Sequence, residues 1–309
     1  PSSPPSGRVS RRLYTVGLFA LLAALWGLSF LAIEVGLRTL SPVLFAAFRY
    51  AIAAALLLGL ALFRHADWRP AGRPDVDAIV GGGVFLVAGN ALLFLGQQTV
   101  PSGVAAIMQS LVPVLTSLWA LALLPEERVS AVGAVGILLG LVGVGLIVRP
   151  DPANLLGGDV VGRLLILGQA ASVALGGVLI QRAGPTLDRA ALSGWSMAVG
   201  GAILFATSYA LGESFALPAT VLGWAAVAYL GVFATAVAFL IYYTLLEVRG
   251  ALETSLVAYL VPVVATVVGV LVLGESVTLP TIAGFLLVFV GFVLLKRRAI
   301  GALLVDARR

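Results

Sequence analysis

Cysteine is absent from this 309-residue chain, and histidine and lysine occur once each, as His65 and Lys296. Without cysteine there is no disulfide framework, no thiolate metal site and no thiol nucleophile. A single histidine and a single lysine remove most of the remaining catalytic chemistry. Charge is scarce too. Only 11% of residues are charged and 61% are hydrophobic, where an ordinary soluble domain carries roughly 25% charge. A two-domain soluble enzyme is excluded, and an integral membrane protein is the expectation.

The net charge of +5 comes from nineteen basic residues, eighteen of them arginine, in short clusters between apolar runs. A nucleic-acid footprint is a dense basic stripe on one soluble face. Basic loops flanking membrane helices account for the charge better, so no nucleic-acid partner is expected.

A membrane-crossing helix needs roughly twenty mostly apolar residues. That rule gives ten spans: 14–33, 42–63, 77–98, 103–124, 130–148, 160–181, 191–210, 222–246, 252–273 and 279–295. The fold class expected is an all-α integral membrane protein. Span 14–33 is long for a signal peptide and has no small-x-small cleavage site before Glu34, so it reads as a retained helix. The Ser/Pro-rich head, within residues 1–13, reads as disordered and cytoplasmic. Residues 296–309 read as a basic cytoplasmic tail. In this arrangement fifteen basic residues fall on one side and only Arg38 and Arg149 on the other. The positive-inside rule then puts both termini in the cytoplasm, in a cell or inner membrane.

The chain also repeats itself. Leu111-Val112-Pro113 matches Leu260-Val261-Pro262, and thirteen residues after each proline stands a glutamate, Glu126 or Glu275. Counted from Glu127 and Glu275, glycines follow nine and then sixteen residues on, at Gly136 and Gly143 and at Gly284 and Gly291. The halves are 14–148 and 149–295, with five spans each. Five is odd, so the second half is inverted relative to the first. Inverted repeats are the signature of secondary transporters, with a substrate site near the midplane between the halves.

Trp26-Gly27-Leu28-Ser29-Phe30, Ser41-Pro42 and Phe48-Arg49-Tyr50 resemble the opening of an EamA domain of the drug/metabolite transporter superfamily. The run from Val100 to Ala106, Val112-Pro113, and Leu273-Gly274-Glu275 resemble the later parts of its two repeats. The resemblance covers about Tyr14 to Leu295. It implies a ten-helix transporter that moves amino acids, related metabolites or drugs, usually outward. Two positions depart from the family pattern: Glu34 stands where many members are basic, and Gln169 stands where the first repeat has Trp26.

Proline inside a helix cannot donate to the carbonyl four residues earlier, here those of Gln109 and Ala258. Pro113 and Pro262 are therefore either kinks satisfied by neighbours or a symmetric pair of hinges around the substrate path. Polar and aromatic groups at membrane depth supply the candidate substrate contacts: Trp26, Ser29, Asn90, Phe94, Gln109, Ser110, Gln169, Ser172, Tyr242 and Tyr259. Amides and hydroxyls beside aromatic walls suit a zwitterion or a planar metabolite. Glu34 and Arg49 are a candidate ion pair or outer gate, and Asp159 with Arg163 a pair one helical turn apart. Glu126, Glu127 and Glu275 read as helix caps. The glycine runs at Gly81-Gly82-Gly83 and from Gly136 to Gly145 lack the lysine of a phosphate loop. Gly136 and Gly140 read instead as a close-packing face; Gly284 and Gly291 give the tenth span a similar one, which suggests the fifth and tenth spans as a structural or a dimer-forming pair.

The expected function is export of a small metabolite, amino acids or relatives first, with no cofactor, metal or catalytic residue, by a monomer or homodimer. Nucleoside-type or sugar-linked metabolites and cationic drugs are alternatives on the same fold. A membrane enzyme or a receptor is the alternative of a different class, but no G-x-S-x-G and no aspartate cluster within a span supports the enzyme.

Overall fold

The computed structural model describes residues 6–64, 67–123, 131–148, 158–242, 244–245, 257–295 and 297. Among them every regular element is helical. Seven helices are long and apolar enough to cross a membrane. They are α1 (Ser6–Gly36, apolar from Tyr14), α2 (Pro42–Phe63), α3 (Arg73–Gly96), α4 (Ser102–Leu123), α6 (Gly158–Ala183), α7 (Arg189–Ala210) and α8 (Val221–Tyr242). Three shorter apolar helices complete the described part: α5 (Ala131–Val148), α9 (Val257–Leu273) and α10 (Leu279–Leu295). Helix α1 begins at Ser6, inside the head expected to be disordered. Glu126, Glu127, Arg128, Arg149, His65, Lys296 and all the tail except Arg297 lie outside the described residues.

The packing partners exchange in pairs. Helix α1 packs on α9 as α6 packs on α4, and α3 contacts α6 and α7 as α8 contacts α1 and α2. The pairs α2 with α7 and α5 with α10 each join a helix of the expected first half, 14–148, to one of the expected second half, 149–295. In the last pair the repeated glycines meet one another. A methyl on Gly143 would lie 2.6 Å from the carbonyl oxygen of Gly284, and one on Gly284 would lie 2.7 Å from that of Gly143. Gly136 and Gly291 overlap each other's carbonyls in the same reciprocal way. Only glycine permits this backbone approach, so the expected close-packing face is present.

Three carboxylates tie helix starts to distant parts of the chain. The first four amides of a helix have no partner within it. Glu275 accepts from the amides of Ser102 (2.7 Å) and Gly103 (3.0 Å) at the start of α4. Glu213 accepts from Val43 (3.1 Å) and Leu44 (2.8 Å) at the start of α2, and from the Ser208 hydroxyl. Each glutamate follows a glycine in the left-handed region, Gly274 at φ 67° and Gly212 at φ 73°. That conformation is nearly free for glycine, and it turns the carboxylate away from its own helix. Asp75 accepts from the amides of Ala71, Thr186 and Leu187 just before α7. Charge-assisted bonds of this kind are roughly twice as strong as neutral ones. Glu275→Ala should cost about 1–3 kcal/mol, read as a lowered midpoint of thermal unfolding in detergent, while Glu275→Gln should lose less.

Candidate functional site

The interior turns polar where α3 departs from regular α geometry. Residues Gly82–Val87 form wide π turns and Ala88–Asn90 a tight 3-10 turn. Such irregular turns re-aim side chains and mark functional sites in many helices. Here the Phe85 carbonyl accepts from the Ser172 hydroxyl (2.7 Å), and the Leu86 carbonyl from the Asn90 amide (2.6 Å). The buried side chain of Gln169 on α6 donates to Asn90 Oδ1 at 3.3 Å and accepts from the Gln109 amide on α4. Asn90, Gln109 and Gln169 thus form one amide chain across α3, α4 and α6.

A second group, of aromatic rings, lies between α1 and α8. Trp26 lies 5.7 Å from Tyr242 and 6.3 Å from Phe239, ring centre to ring centre. Helix α8 also carries π turns, at Tyr229–Val237, and the Tyr229 hydroxyl donates to the Leu25 carbonyl on α1. Phe239 was not among the candidates drawn from the sequence. An aromatic residue one turn before Tyr242, on the same helix face, was the signal that could have found it.

The other candidates separate from these two groups. Ser29 and Ser110 donate back to the carbonyls of Trp26 and Ile107 in their own helices, both at 2.6 Å. Phe94 is fully buried edge-on against Phe45. Tyr259 packs on Phe285, Phe289 and Phe292 of α10, and its hydroxyl has no hydrogen-bond partner among the described residues. The expected pair of Glu34 with Arg49 does not form. Arg49 is buried, donates from Nε to Thr235 on α8 at 2.8 Å and lies over the Tyr50 ring. Glu34 has Glu275 and Arg38 as its charged neighbours instead. A hydroxyl and an aromatic face contact the guanidinium without moving a second charge into the apolar interior. Asp159 and Arg163 do pair, at 2.7 Å, and Arg163 also donates to the Ile147 carbonyl.

The two prolines are not equivalent. Helix α4 is interrupted at Ser110 and Leu111, between the segments Ser102–Gln109 and Val112–Leu123. Helix α9 continues through Pro262. The break sits beside Gln109, so the first proline is the one placed to act at the amide chain. Pro113→Ala should straighten α4 and disturb the amide chain, read as a shifted thermal midpoint in detergent, with Pro262→Ala the milder of the two. Equal midpoints in both variants and the parent would leave the proline at α4 with no part in holding the amide chain.

The sequence profile described as the EamA-like transporter family matches residues 14–149 and again 160–297. An uncharacterized transporter of Archaeoglobus fulgidus is 29% identical over 285 residues, covering 91% of this chain and 98% of its own length. The inner membrane transporter YedA of Escherichia coli, also described as uncharacterized, is 32% identical over 264 residues, covering 84% and 83%. A crystal structure of a further protein superposes with a TM-score of 0.66 over 93% of this chain and 98% of that one, at 21% identity, which speaks to the fold. Two family matches that together span nearly the whole sequence decide the assignment: the chain is a multi-pass membrane protein belonging to the EamA-like transporter family.

Proposed function

We propose that this protein is a secondary transporter that exports a small metabolite, amino acids or their relatives foremost, by alternating access between two inverted five-helix halves. One observation carries the reading. Position 169 on α6 corresponds to position 26 on α1, and both sit against the π-turned helix of the other pair. One place holds amides, Gln169 with Asn90 and Gln109. The other holds rings, Trp26 with Phe239 and Tyr242. Each group draws helices from both halves, so a shift between the halves changes both at once. Amides on one side and rings on the other suit a solute with a polar head and an apolar body. Residues 14–148 and 149–295 are the halves, Pro113 a hinge, and both termini are cytoplasmic.

Two measurements test this. Purified protein in sealed liposomes, loaded in turn with amino acids, nucleosides and organic cations, should release the amino acids fastest. Release of another class alone replaces the substrate, and release of none overturns transport. A reporter fused after Arg309 should read as cytoplasmic and one within 149–159 as external. Reporters on the same side contradict the inverted arrangement.

A further inference from the structure

Arg49 is the only charged residue of α2. It stands seven residues in from Pro42, roughly 10 Å along the helix at 1.5 Å per residue, inside an otherwise apolar span. The helices packed on α2 are α3, α7 and α8. Neither α7 nor α8 contains an acidic residue. Helix α3 has only Asp75 and Asp77, near its own start, where it packs beside the far end of α2. Asp75 is engaged by the amides described above, and Asp77 pairs with Arg73 at 3.7 Å. Glu213, at the start of α2, is engaged by two amides and the Ser208 hydroxyl. Charged side chains in membrane spans ordinarily have a partner to offset them, and no carboxylate among the described residues pairs with this one.

What touches Arg49 carries no negative charge. Thr235 takes Nε at 2.8 Å, and the Tyr50 ring centre lies 5.1 Å from the guanidinium carbon. Nη1 and Nη2 have no hydrogen-bond partner among the described residues. Unpaired side-chain atoms that are also sealed from solvent occur at Gln97, Ser102, Ser196 and Tyr259 and not at Arg49. The two terminal nitrogens are therefore unpaired and yet reach accessible space. That opening is narrow, since Arg49 is 7% exposed. Gly231 draws α8 against α2 at this level: a methyl on it would sit 2.8 Å from Ile52 and 3.3 Å from the Arg49 carbonyl oxygen. Both Gly231 and Thr235 belong to the π turns of α8, a departure from α geometry that marks functional sites in many helices.

We infer that a small monovalent inorganic anion, of the size of chloride, resides between α2 and α8 on Nη1 and Nη2 of Arg49. Arginine offers its donors in a rigid planar fork, and with Nε held by Thr235 the two terminal nitrogens are the part left for an anion. Water alone would supply hydrogen bonds but leave a full charge uncompensated in an apolar span. A transported solute would leave the charge bare each time it departed, whereas a resident ion offsets it throughout. The inference concerns a counter-ion and does not depend on what the protein moves.

Sodium gluconate as the sole salt gives the reference condition for purified protein in detergent, because gluconate is too bulky for the opening. Replacing it with sodium chloride at constant sodium should raise the thermal midpoint and then saturate, since an ion that binds only the folded state stabilises it. Arg49→Met keeps the length and removes the charge, and its midpoint should be the same in both salts. Radiolabelled chloride should bind the parent at a single site per chain and should not bind Arg49→Met. Crystals of the unaltered protein grown in bromide need no variant, and their anomalous signal should peak beside the Arg49 guanidinium. Equal midpoints of the parent in the two salts would mean that water alone occupies the place, which overturns the inference. So would a chloride response that survives in Arg49→Met, or bromide crystals with no peak beside Arg49. Leucine that displaces the labelled chloride and stabilises the parent equally would make this a solute contact and overturn a resident ion. None of these measurements involves flux, so a protein that moves no solute in liposomes keeps the ion site and loses the transporter reading.

Discussion

Gly136→Leu is expected to leave little folded protein. Any side chain at Gly136 meets the carbonyl of Gly291, and the nearest neighbours after it are the Leu295 amide and Leu294. Backbone cannot rotate aside as a side chain can, so α5 and α10 must separate along their length. Overpacking costs typically 1–3 kcal/mol and occasionally more, and a clash with main chain belongs at the upper end. The result to look for is loss of the monodisperse peak in size-exclusion chromatography and a sharply lower thermal midpoint. Gly145 on the same helix is the control, because a side chain there has nothing within 4 Å. Gly145→Leu should behave as the parent does. Equal behaviour of the two leucine variants would mean that the glycine contacts do not hold the pair together.

Gln169→Leu should be nearly as damaging, but to activity. It removes the acceptor of the Gln109 amide and the donor to Asn90 in one step, at almost constant volume. Each stranded polar group costs about 1–3 kcal/mol. Both also become free to reorient, so a solute head group would meet the wrong atoms. Transport should fall by more than about tenfold, which corresponds to roughly 1.4 kcal/mol. Gln169→Glu, which keeps the acceptor and loses the donor, should fall between the two. If Gln169→Leu transports with unchanged affinity and rate, the amide chain only holds helices together.

Much of the architecture was legible from the residues. Long apolar runs mark membrane helices wherever a chain has them, and the glycines at 136, 143, 284 and 291 stood in repeat register before any contact was known. Asn90, Gln109 and Gln169 were legible as costly polar groups at depth, and the structure brings them together. Periodicity gives the face of a helix but not the helix opposite, which is why Tyr259 was read toward the path and lies against α10. For Ser29 and Ser110 the competing partner was local, a carbonyl three residues back. The Arg49–Glu34 pair was expected because both stand toward the outer side, and shared depth said nothing of Thr235, 186 residues away, which takes the guanidinium instead. Glu213 was missed altogether, although Gly212-Glu213 repeats the glycine–glutamate corner of Gly274-Glu275.

Those corners have a consequence for biosynthesis. Ser102 and Glu275 are 173 residues apart, and Leu44 and Glu213 are 169 apart. At roughly 5–20 residues per second, the starts of α4 and α2 are made about nine to thirty-five seconds before their carboxylates exist. During that interval their amides need lipid head groups or water as stand-ins, so both helix starts must wait at the membrane surface. A chain truncated just before Glu275 would keep most of its apolar helices and still present an uncapped α4, a form that quality-control proteases are built to find.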